Sequence, residues 1–144
     1  MNEAVTPQER YQQIARWFEQ LTQESLATIG TIYSPSASFS DPFNDVVGID
    51  QVTAVYAHMF ATLDKPRFFV ERILTEGAAA FMIWRFEFQL RGQTHIVAGV
   101  THFELDDQGL VALHRDYWDA AKQVYEKVPF LGSVLKWLRK RMSI

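Results

Sequence analysis

Asp41, His114 and Asp116 are the residues whose types and spacing can do chemistry in this chain. Asp41 stands directly before Pro42 inside FSDPFNDVVG (39–48), after alternating small and apolar residues and ahead of a strongly amphipathic segment. A carboxylate there has two readings. Asp before Pro commonly opens a turn. At the mouth of an apolar pocket the same carboxylate would be poorly solvated in its charged form, and would gain the basicity needed to abstract a proton. His114 and Asp116 lie two apart in LVALHRDYWD, on one strand face with Trp118. They read either as acid–base partners of Asp41 or as a structural pair, with Asp116 also able to meet Arg115 or Arg85 at a rim.

Larger residues follow the same parity. In AAAFMIWRFEFQ, Met82, Trp84 and Phe86 alternate with Ile83, Arg85 and Glu87. In the following segment Gly99, Thr101 and Phe103 share one side and His102 takes the other. Periodicity fixes which residues share a face and leaves open which face is concave.

The elements that must position these groups can be read from spacing. Thr6-Pro7 opens a helix whose apolar face is Tyr11, Ile14, Ala15, Phe18 and Leu21. ESLATIGTIY is expected to be a second short helix ended by Ser34-Pro35, and ASFSD a short strand broken at Asp41-Pro42. Residues 50–63 return to a helical period through Val52, Val55, Tyr56, Met59, Phe60 and Leu63. From Pro66 to Trp118 the period is that of strands, in four long segments separated by short glycine-containing breaks. Helices first and an antiparallel meander after make the class α+β.

Composition narrows the function. The chain has 144 residues, enough for one domain with a real core, and 48% of them are hydrophobic. Eleven Phe, five Tyr and four Trp exceed what a plain core needs and point mildly to a cavity for an apolar ligand. There is no cysteine, which removes disulfides, thiol nucleophiles and thiolate metal sites. His58, His95 and His102 form no metal-ligand pattern, and no phosphate-loop or nucleotide motif is present. The opening MNEAVTPQERYQQ lacks the apolar core of a signal peptide, so a soluble, cytoplasmic protein is expected. Residues 1–121 carry 8 Lys and Arg against 16 Asp and Glu, an acidic body that disfavours nucleic-acid binding.

Several strings, in order and spacing, carry a family likeness: RW at 16–17, TIYSPSASFSDPF at 31–43, FMIWRFEFQ at 81–89, VAGVTHF at 97–103 and GLVALHRDYW at 109–118. The chain resembles the ketosteroid isomerase and SnoaL-like branch of the nuclear transport factor two-like superfamily. That resemblance implies a cystatin-like α+β roll: a cone-shaped, strongly bent antiparallel sheet wrapped by the N-terminal helices around a deep apolar pocket. It also implies a homodimer formed through the outer sheet face. It places Asp41 at the general base, Trp17 at the position of the helix-one oxyanion tyrosine, and Thr101 at that of the protonated aspartate. Tyr33 and Tyr56 match the supporting tyrosines. Removing one preorganised donor costs about 10²–10³ in rate, so replacing both argues against authentic steroid isomerisation.

The expected function is binding of a small hydrophobic molecule bearing a carbonyl or hydroxyl. Its enzymatic form would be a cofactor-free isomerase, cyclase or dehydratase, with Asp41 as base and His114 and Asp116 as acid–base or orienting partners. Tyr33, Tyr56 or Thr101 would polarise an oxygen, and Met82, Trp84, Phe86 and Trp118 would shape the cavity. The alternative is a non-catalytic ligand-binding or protein-interaction module.

Residues 1–121 make the cone in this reading, and 122–144 a basic extension with 6 Lys and Arg against 1 Glu. Leu131, Val134, Leu135, Leu138 and Met142 form its apolar stripe. It reads as a helix packed on its own domain, a lid over the pocket, a dock on a second subunit, or a membrane-surface contact through Leu131, Leu135, Trp137, Arg139 and Lys140.

Overall fold

The structure, a computed structural model, describes residues 4–119 and 140–144. Helix α1 (Pro7–Glu19) begins as its sequence dictates. The Thr6 side chain accepts from the Glu9 backbone N–H, the Glu9 carboxylate accepts from the Thr6 N–H, and Pro7 occupies the first turn. Its buried face is Tyr11, Ile14, Ala15 and Phe18. The Tyr11 hydroxyl donates to the Ala78 carbonyl at 2.5 Å, pinning the helix across the start of the meander.

The second short helix is present as a 3-10 helix over Glu24–Thr31, but it ends before Tyr33, and strand β1 starts there and runs to Ser40. Pro35 therefore lies inside β1. It is accommodated because the pairing of β1 with β6 is irregular between Tyr33 and Ser38, where no ladder bond is required of it. A short β2 (Asp45–Val47), unread in the sequence, pairs antiparallel with β1 through Phe39↔Val46. Helix α2 (Ile49–Thr62) follows Gly48, whose φ of 102° suits glycine, and buries Val52, Val55, Tyr56 and Met59.

Four strands complete the sheet: β3 (Asp64–Glu76), β4 (Ala79–Leu90), β5 (Gln93–Leu105) and β6 (Val111–Tyr117). The order is β2-β1-β6-β5-β4-β3. All neighbours are antiparallel except β1 and β6, which run parallel because the chain passes through α2 and the whole meander between them. Two register shifts in β3, at Asp64/Arg67 and Val70/Arg72, help the sheet to curl without closing. The concave face and the inner faces of the helices share one core, in which Tyr11, Tyr33, Phe103, Ile14 and Met82 are among the fully buried side chains. No helix among the described residues is long and apolar enough to cross a membrane.

Candidate active site

The alternation read in β4 continues directly into the site. Met82, Trp84, Phe86 and Phe88 all face inward, against Thr101 and Val97 from β5 and His114 from β6. Register sets the neighbours: Met82 is opposite Thr101, Thr101 opposite Asp116, and His114 lies between Phe103 and Phe39. These side chains, with α1 and α2, enclose a cavity of about 110 Å³. Its walls are almost wholly apolar; the charged or polar side chains that reach it are Asp41, Thr101, His114 and Asp116, with the Tyr56 ring beside them.

One glycine is structurally required here. Trp84 lies across Gly99, and a Cβ on that residue would sit 2.5 Å from the indole. The close approach lets the indole N–H donate to Thr101 Oγ1 at 2.7 Å. The threonine hydroxyl in turn donates to Asp116 Oδ1 at 2.5 Å. His114 Nε2 is 2.8 Å from the same oxygen, and Nδ1 is 2.8 Å from the Tyr33 hydroxyl, which is 2.7 Å from that of Tyr56.

Donor counting orients the chain. A carboxylate accepts only, so the neutral form of the His114 ring carries its proton on Nε2, and in that form Nδ1 accepts from Tyr33. Tyr33 then accepts from Tyr56. Burial pushes both phenols well above their ordinary pKa, which keeps them neutral. Every hydroxyl and ring N–H in the row from Tyr56 to Trp84 is thereby committed inside the protein.

Asp41 is held by its own turn. Its Oδ1 accepts from the backbone N–H groups of Phe43 at 2.8 Å and Asn44 at 2.7 Å, and from the Asn44 amide at 3.3 Å. The turn reading accounts for Oδ1; among the described residues Oδ2 has only the long 3.4 Å contact with Asn44, and the carboxyl group lines the cavity. Burial is the largest influence on its pKa and the charge of Asp116 the second. Together they outweigh the Phe43 and Asn44 donors and raise it from 3.8 to about 6. Asp116 matches this arrangement: among the described residues, donors converge on its Oδ1 and none reaches Oδ2.

Of the residues read from the sequence, Asp41, His114, Asp116, Tyr56, Met82, Trp84, Phe86, Thr101 and Trp118 all line the one cavity. Trp17 and Tyr33 do not. Trp17 is half-buried on α1, stands edge-on to Tyr33 and Tyr56, and its N–H is 3.4 Å from Thr28 Oγ1. Tyr33 is fully buried behind His114, so it reaches the site only through that ring and through the Tyr56 hydroxyl. Sequence reading missed Phe39 and Phe43, which flank Asp41 and whose spacing was a usable signal, and Asn44, for which there was none. Met142 stood on the apolar stripe for which a lid over the pocket was one reading, and it lines the cavity. Among the described residues no three His, Cys, Asp or Glu lie close enough to hold a metal ion. His95 and His102 stack on Phe88 and Phe81.

Most of the C-terminal extension, including Leu131, Leu135, Trp137 and Arg139, lies outside the described residues. Lys140 is exposed, and Met142 faces the cavity.

No curated protein matches the chain by sequence. Among solved structures it is similar to a Jannaschia sp. CCS1 protein described as a SnoaL-like polyketide cyclase, at 21% identity and TM-score 0.69 over 85% of this chain and 92% of that one. It is similar also to an M. tuberculosis LEH-like epoxide hydrolase, at 15% identity and TM-score 0.70 over 99% of both chains. A third is a Catenulispora acidiphila DSM 44928 protein of ketosteroid isomerase-like fold, solved with trimethylamine, at 13% identity and TM-score 0.68 over 81% and 90%. At these identities the likeness establishes the fold alone. The family model for the SnoaL-like domain matches residues 14–114, from the buried face of α1 to the site histidine, and the chain belongs to that family.

Proposed function

We propose that this protein binds a small, largely apolar molecule with an oxygen function and moves a proton on it, using Asp41 and Asp116 as a carboxylate pair. One observation carries this reading: among the described residues, the donors at the polar end are spent on one another, which leaves the two Oδ2 atoms as the groups free to exchange protons with a ligand. The expectation that Tyr33, Tyr56 or Thr101 polarises a substrate oxygen loses support, because each has its only hydroxyl proton engaged elsewhere.

The remaining source of a proton for that oxygen is a protonated carboxyl. Asp41, with its pKa of about 6, holds a proton more readily than an ordinary aspartate. Pairs of carboxyl groups in unlike environments divide acid and base roles in this way. In the assignment favoured here, Asp116 Oδ2 takes a proton from carbon while Asp41 gives one to the substrate oxygen. Return of the first proton to a different carbon, with the oxygen's proton going back to Asp41, completes an isomerisation. Attack of the carbanion on a carbonyl carbon whose oxygen takes the Asp41 proton completes a ring closure. Loss of the protonated hydroxyl as water completes a dehydration, and in the last two cases the carboxyl groups regain their starting states by proton exchange with solvent. His114 and Thr101 orient Asp116 and stabilise its charge. No step requires a metal or organic cofactor.

The reverse assignment, with Asp41 as base, follows from the family resemblance, and the pH dependence of turnover separates the two. A rate that falls as pH rises through about 6 requires protonated Asp41, and one that rises there requires it ionised. The overall reading is tested by identifying the molecule that co-purifies with the protein and assaying it with Asp41→Asn and Asp116→Asn. Retained binding with lost turnover supports an enzyme; binding by the wild-type protein with no turnover by any form supports the non-catalytic module. We assign the convex sheet face, where Leu74, Phe81 and Tyr117 are exposed, to a homodimer contact.

A further inference from the structure

We propose that Met142–Ile144 form a latch on the Asp41–Asn44 turn, closing the cavity wall and holding the Asn44 amide back from full bonding to the Asp41 carboxylate. The observations are three contacts that join segments about a hundred residues apart and a fourth to α2. Asn44 is 6% exposed. Its amide nitrogen donates to the Met142 carbonyl at 2.8 Å, and its amide oxygen accepts from the Ile144 N–H at 3.0 Å. The Ser143 hydroxyl donates to the Phe43 carbonyl at 2.9 Å. The Met142 side chain lines the cavity, with its sulfur 3.6 Å from the Thr62 hydroxyl.

Chemistry gives these contacts a direction. The Asn44 Nδ2 that bonds Met142 at 2.8 Å also reaches both oxygens of Asp41, at 3.3 and 3.4 Å. With the latch docked, the short bond holds the amide and leaves only long contacts to the carboxylate, so Oδ2 stays available to a ligand. With the latch removed, Asn44 is free to bond Asp41 fully, and water enters where Met142 stood. Both changes stabilise the charged form of Asp41. Met142 suits such a wall: an unbranched thioether fills an irregular gap and can yield to different ligands. Asn44 acts through Asp41 and is a positioning residue. The working role of Asp41 rests on the acid–base reading above; the latch itself does not.

The test uses the chain ended at Arg141, and Met142→Ala and Ser143→Ala in the full chain. Two readouts are followed: affinity for a fluorescent naphthol, and the pH midpoint of the Asp41 side-chain carboxyl by carbon-13 NMR. Truncation is expected to move the midpoint from about 6 towards the ordinary aspartate range. It should also weaken naphthol binding about tenfold, the effect of losing one buried apolar side chain. Met142→Ala, which keeps the backbone bonds, should weaken the probe with a smaller change in midpoint, and Ser143→Ala should do the reverse. If the truncated chain does not fold, the two point variants decide alone. An unchanged Asp41 midpoint together with unchanged naphthol affinity overturns the latch, and does so without touching the carboxylate-pair reading, which Asp41→Asn and Asp116→Asn test separately.

Discussion

Asp41 and Asp116 face one cavity, and among the described residues each has one oxygen firmly bound while the other has at most one long contact, so their neutral replacements separate binding from chemistry. Asp41→Asn and Asp116→Asn are each expected to lower turnover of the native substrate by about 10²–10⁴, the usual contribution of a positioned acid or base, with ligand affinity changed only a few-fold. Stopped assays with calorimetric binding check both at once. Asp41 also carries a stability signature. Its folded pKa, about 6, lies above the ordinary 3.8, so between those values the native state binds more proton than the unfolded chain. Stability from this group is complete below about pH 4, is lost as pH rises through about 6, and stays lost above. Urea unfolding of Asp41→Asn should therefore match wild type near pH 4 and exceed it at pH 8 by on the order of 1–3 kcal/mol. Equal stability at both pH values contradicts a buried, destabilised carboxylate. At this scale the sequence showed which side chains share a face, because strand parity depends on neighbours two apart. It could not show that the hydroxyls of Tyr33, Tyr56 and Thr101 are used up, since those bonds join β1, α2, β5 and β6.

Strands β4 and β5 fix how the indole of Trp84 reaches Thr101. Gly99 stands opposite Trp84 in the ladder and leaves room for the ring. Gly99→Ala would place a methyl 2.5 Å from the indole, with Trp118 Cβ 3.0 Å away on the other side, so the ring must move. The expected result is a loss of about 1–3 kcal/mol from overpacking. It should be accompanied by loss of the protected Trp84 indole proton in NMR, since the Thr101 bond breaks. Gly99→Ser should behave alike, while Ala98→Ser on the other face should do neither. Element existence was legible wherever one face repeats with a fixed period, as in α1, α2 and β3 to β6. Tyr33–Ser40 was shortened in the sequence reading because Pro35 looked like a stop. The irregular pairing that tolerates it is set by β6, far along the chain. Asp45–Val47 was unreadable for a related reason: three residues show no period, and only the neighbouring β1 makes them a strand.

The whole molecule puts two carboxyl groups at one end of an apolar hollow and a second apolar surface on its outside. Leu74 and Phe81 are partners in the β3–β4 ladder, both about half exposed, with His102 stacked on Phe81. Phe81→Asp is expected to convert a dimer to a monomer in sedimentation velocity and to leave naphthol binding intact, because residue 81 points away from the cavity. A wild-type protein that sediments as a monomer contradicts the dimer assignment. The α+β order and the family were legible from the arrangement of strings along the chain. The parallel pairing of β1 with β6 depends on closure of the entire sheet and left no local trace, whereas the return of Met142 to the cavity wall was one of several readings of its apolar stripe, and only the folded chain selects it. The most direct check on the central claim follows the Asp41 carboxyl carbon by NMR from pH 3 to 9, in wild type and in Asp116→Asn. A wild-type midpoint near 6 that drops when Asp116 loses its charge is the result expected of two coupled carboxyl groups at a dry site. A midpoint near 4, indifferent to Asp116, would mean a solvated turn aspartate and no proton-handling pair.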